Sequence, residues 1–236
     1  MEVVFFFKKW PEILAYLKII FNFVIQSTFY MQKEKDYIKD IAAIRTMMER
    51  SSKFLSLSGW AGILAGIYAI VGAYISYVFF KFNPVEIVYT TTVASFAELL
   101  NVIVIATVVL LLSIGTAIFL SFKRATKRAE SLWNATSRRM LINMSVPLAS
   151  GGVLILVFIS LGLIGLIAPL SLLFYGLALF SAGNYTFSEV RFLGIILILL
   201  GLLGSCFIEY GLLLWVVGFG LMHIVYGIYI HIKHQR

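Results

Sequence analysis

The sequence predicts an all-α polytopic membrane protein, a helical bundle of six transmembrane helices preceded by an amphipathic helix. Three observations predict it. The run Phe54–Phe80 has no charged side chain across 27 residues. As a helix it is roughly 40 Å long, enough to cross a hydrocarbon core of about 30 Å with tilt. Of the 236 residues, 61% are hydrophobic and 13% charged, about half the charged share of a soluble domain, so a water-soluble fold could not hide the apolar surface. The third observation is a one-sided distribution of Lys and Arg, which emerges once the spans are placed.

Residues 1–30 fit either an interfacial helix or an extension ahead of a true start at Met31. Lys18, Asn22 and Gln26 are spaced by four and form one polar stripe, so a helix there lies at the interface with Lys18 reaching water. The order of basic, apolar and small residues expected of a secretory signal is missing.

Residues 31–53 change character sharply. Ten charged residues crowd the stretch, and Ile38, Ile41, Ile44 and Met48 recur at helical spacing. Arg45–Glu49 and Glu49–Lys53 are i,i+4 pairs of opposite sign. This is a cytosolic amphipathic helix. It is either a solvated lead-in or a docking surface for a cytosolic protein partner.

The membrane domain is 54–236. Span one, Phe54–Phe80, carries Gly62 and Gly66 four apart, which lets another helix approach closely. The expected neighbour is within the bundle, and a homo-oligomer through this face is the lesser case. A link with Asn83-Pro84 follows. Span two covers about Ser95–Leu120 and continues into the basic stretch 121–143 as a cytosolic helical extension, with Trp133 as its apolar anchor. Span three is about Met144–Ile167 with Pro147 in its first turn. Ala168-Pro169 makes the connection to span four, Leu170–Gly183. Spans five and six are Phe192–Ile208 and about Leu212–Ile232. Cys206, the only cysteine, reads as a small packing residue.

On this segmentation fifteen Lys and Arg residues fall on one side and Lys81 alone on the other. The positive-inside rule then puts both ends of the membrane domain in the cytoplasm. The triplets at Asn134, Asn143 and Asn184 fall on that inner side, so they are not expected to carry glycans.

Few residues point to chemistry. Glu98 and Asn101 share a helical face at the outer end of span two, and a carboxylate at a membrane edge is a functional candidate by default. His223 lies inside span six, where a neutral ring bonded to a helix neighbour is the common state. Together these three are the candidate membrane-edge polar site. Lys123, Arg124, Lys127, Arg128, Arg138 and Arg139 suit anionic lipid headgroups, which accounts for the basic stretch without nucleic acid. No H-E-x-x-H, G-x-S-x-G or Walker A pattern occurs. No catalytic residue, metal or cofactor is therefore expected.

The tract Ile44-Arg45-x-Met47-Met48-Glu49-Arg50-Ser51-Ser52, together with Tyr210-Gly211-Leu212-Leu213 and Gly218 through Gly227, resembles an uncharacterised family of bacterial multi-span inner-membrane proteins. The resemblance runs from about Met31 onward and implies a bacterial cytoplasmic membrane, with no activity or site residues attached. The expected function is a non-catalytic interaction or sensory component coupling cytosolic helices to a partner. The alternative is a small-solute or ion carrier that uses Glu98 and Asn101.

Overall fold

The computed structural model describes residues 53–80, 96–127 and 131–234, with the backbone alone for 96–99. The expected interfacial helix at 1–30, the amphipathic helix up to residue 52, the Asn83-Pro84 link and Arg128 lie outside the described residues. The chain divides into two units, Met1–Ser51 and Ser52–Arg236, and all the described residues belong to the second.

Regular structure among the described residues is entirely helical: α1 (Gly59–Phe79), α2 (Phe96–Lys127), α3 (Ala135–Ser160), α4 (Ile167–Ala182), α5 (Ser188–Cys206), α6 (Gly211–Trp215) and α7 (His223–His234). A π-helical segment, Val216–Met222, joins α6 to α7. With the preceding turn they form a sixth span, Ile208–His234. Among the described residues six helices are thus long and apolar enough to cross a membrane, the arrangement of a multi-pass membrane protein.

The helices pack in a row. α2 lies on α1, α1 on the sixth span, the sixth span on the α4–α5 hairpin, and α3 on the far side of α4. Glycine makes the seams. A Cβ at Gly66 would lie 2.5 Å from the Gly220 carbonyl, and one at Gly227 would lie 2.5 Å from the Gly59 carbonyl. In the hairpin, a Cβ at Gly194 would meet the Gly176 carbonyl at 2.7 Å and the Phe180 nitrogen at 2.6 Å. Backbones this close exchange dispersion contacts that larger side chains would block.

Several boundaries differ from the sequence reading. α1 begins at Gly59, because 54–58 is a non-helical strap laid against the α4–α5 link, with Phe54 and Ser56 buried. α3 begins at Ala135, nine residues early, because Asn134 caps it. The Asn134 side chain accepts from the Ser137 N–H at 2.8 Å, and the Ser137 hydroxyl accepts from the Asn134 N–H at 3.0 Å. This capping box fixes the helix start in the basic stretch. Pro147 consequently lies deep inside α3 rather than in its first turn.

The basic stretch is helical in two pieces: α2 continues past Leu120 into it as expected, and the cap starts a separate helix further on. α2 is described as far as Lys127, and 131–134 is non-helical ahead of α3, leaving Trp133 68% exposed rather than packed as an anchor. The connection into α4 also moves. Gly162, at φ 71°, ends α3 with Leu163 N–H bonded to the Phe158 carbonyl at 2.9 Å, a Schellman closure that needs the left-handed conformation glycine allows. Pro169 then falls within the first turn of α4, where its missing N–H costs little. Cys206 is exposed at the end of α5 rather than packed.

Candidate functional site

Two polar places stand out, one inside the bundle and one at its basic end. The inner one is built where α4 meets the π segment. Tyr175 projects from α4 and stacks on Phe219 and His223, with ring centroids 5.1 and 5.6 Å away. His223 is buried. Its Nδ1 lies 2.9 Å from the Gly218 carbonyl and its Nε2 lies 3.4 Å from the Tyr175 hydroxyl. The carbonyl can only accept, so Nδ1 carries the proton and Nε2 accepts from Tyr175. One turn away, Trp215 Nε1 donates to the Ser171 hydroxyl at 3.1 Å. Each of these polar groups has a partner, as an apolar surrounding demands.

The basic end gathers the helix termini. The strap is bonded there through Phe54. Phe54 N–H donates to the Tyr185 carbonyl at 2.7 Å, and the Thr186 hydroxyl donates to the Phe54 carbonyl at 2.6 Å. Ser56 and Thr186 are both fully buried. Beside them Glu189 pairs with Lys233 at 2.6 Å and lies 3.3 Å from His234. The His234 ring stacks on Phe187, and its carbonyl accepts from Arg124 at 3.0 Å. Asn143 donates to the Tyr185 hydroxyl at 3.0 Å. The strap, α2, α3, α5 and α7 therefore meet around the α4–α5 link.

The residues singled out from the sequence do not form one site. Asn101 is exposed on α2, which packs on α1, whereas His223 is buried in the sixth span. Arg124, near the end of α2, touches the end of α7, so helix rise separates Asn101 and His223 by about 20 Å in depth. Glu98 lies on α2 a turn before Asn101; its side chain lies outside the described residues. Gly62 and Gly66 face the sixth span within the chain, against Gly227, the His223 carbonyl and Gly220. Lys123, Lys127, Arg138 and Arg139 are exposed at the basic end. Among the described residues no group of three His, Cys, Asp or Glu could hold a metal ion.

Sequence reasoning missed Tyr175, Trp215, Ser171 and the strap. The available signal was Gly218-x-Gly220 five and three residues before His223, yet rules of spacing assume α geometry and the segment is π. No family model, no curated protein and no solved structure matches the chain, so the family resemblance rests on the residues that carry it.

Proposed function

We propose that this is a non-catalytic membrane component in which the charged segment 31–53 meets a cytosolic protein partner and passes its state to the bundle. The observation that carries the reading is the strap. Residue 53 leads directly into a segment with Phe54 and Ser56 buried, whose Phe54 N–H and carbonyl are both bonded to the α4–α5 link, and which precedes α1. A pull on this segment reaches two seams at once. A solvated tether would need neither the buried Ser56 nor the Thr186 bond. The carrier alternative has no comparable support, since Asn101 is exposed and distant from the buried polar groups.

On this proposal the basic end faces the cytoplasm of a bacterium, with Lys123, Arg124, Lys127, Arg128, Arg138 and Arg139 against anionic headgroups. Photo-crosslinkers placed along 31–53 in native membranes test it. A discrete protein adduct is expected, with its yield lowered in Thr186→Val. Adducts to lipid alone would remove the partner, and an adduct indifferent to Thr186→Val would remove the coupling.

A further inference from the structure

A π segment inside a membrane helix is uncommon and concentrates at working positions. In it the backbone bonds reach five residues back instead of four, so Val216–Met222 holds one residue more than an α-helix of equal span. His223 closes the segment, and its ring returns to the Gly218 carbonyl five residues back. The ring is held in place by stacking on Tyr175 and Phe219, with centroids at 5.6 and 5.7 Å. Gly218 faces Leu172, Leu197 and Leu200 of the α4–α5 hairpin, and Gly220 faces Ile70 of α1.

We propose that Val216–Met222 is a two-register element, and that His223 is the pin that holds it in the π register. Absorbing the surplus residue into α geometry turns α7 by one residue, about 100° and 1.5 Å. That turn is incompatible with the α1 seam. Gly227 is the residue facing Gly59 and Ile63, and a Cβ there would lie 2.5 Å from the Gly59 carbonyl and 2.6 Å from the Ile63 nitrogen. One residue either way brings Tyr226 or Ile228 to that place, and neither fits. The same turn moves the fully buried Ile230 toward lipid and carries Lys233 away from Glu189. Release of the pin therefore separates α1 from the sixth span. This device stands whether or not 31–53 binds a partner.

The test is a distance measured by pulsed electron paramagnetic resonance in the full chain carrying Cys206→Ser. Nitroxides go on cysteines replacing Arg139 and Ile232, both exposed; a pair replacing Arg139 and Lys127 is the control. His223→Leu is expected to move the 139–232 distance by about 8 Å, given a helix radius near 5–6 Å, or to split it into two populations. The control distance stays fixed. Tyr175→Phe keeps the stack and the Gly218 bond and is expected to leave both distances unchanged. A single unshifted distance in folded His223→Leu overturns the proposal, and so does an equal shift in Tyr175→Phe. If His223→Leu does not fold, deleting Val217 from the same chain decides. Removing the surplus residue restores folding and the native distance if the histidine is a pin. Failure of that rescue overturns the proposal.

Discussion

α2 and α4 invert the rule by which soluble proteins are read. α2 is the most apolar of the six spans, and none of its most apolar stretch is buried; the α4 span is less apolar and 39% buried. In water the greasier helix would go inside. In lipid the surroundings are as apolar as leucine, so burial goes to the surfaces that pack most closely. α4 and its end offer Gly176, Ala178, Ala182 and Gly183 to their neighbours, whereas α2 turns Leu110, Leu111 and Leu112 outward. The row has a dense middle, made of α1, the sixth span and the α4–α5 hairpin. Two helices that turn most of their apolar side chains outward, α2 and α3, flank it.

Substitution can break that contrast. The largest effect is expected from Gly194→Leu, whose side chain has no room between α4 and α5. Overpacking of this kind costs about 1–3 kcal/mol or more, and here the blocking atoms are backbone, so loss of the folded bundle in a detergent unfolding assay is the expected outcome. Gly115→Leu and Gly152→Leu meet open space and should unfold like the parent. Equal damage at Gly194 and Gly115 would erase the distinction between middle and flank.

A smaller pair sharpens it. Leu172 is fully buried between α5 and the π segment, while Leu111 is 64% exposed. Leu172→Ala should lower stability by about 2 kcal/mol, the low end for buried leucines, because lipid supplies little transfer term and the cavity supplies the rest. Leu111→Ala should stay within about 0.5 kcal/mol. Chemical unfolding of both variants against the parent measures the difference.

The legible part of the fold follows the same physics. The spans could be found because a stretch of about twenty apolar residues is needed to cross lipid whatever it packs against. Their ends were less legible. Asn134 as a cap and Gly162 as a left-handed stop are common signals, yet both were masked by apolar or basic runs that suit a longer helix equally well. His223 was visible as a histidine in an apolar setting. Its partner Tyr175 lies 48 residues away, and the π register that brings Gly218 to it follows no α-helical spacing.

By itself, the sequence determined the six spans among the described residues, since the ability to cross lipid depends on transfer energies summed over one segment at a time. Tertiary structure alone decided which helices are central, that Phe54–Ser58 is a strap rather than a first helical turn, and that the sixth span carries a surplus residue. The first two depend on which backbones approach within van der Waals contact, a property of pairs of segments, and the third is an i→i+5 register within the sixth span, held by its partners on α4.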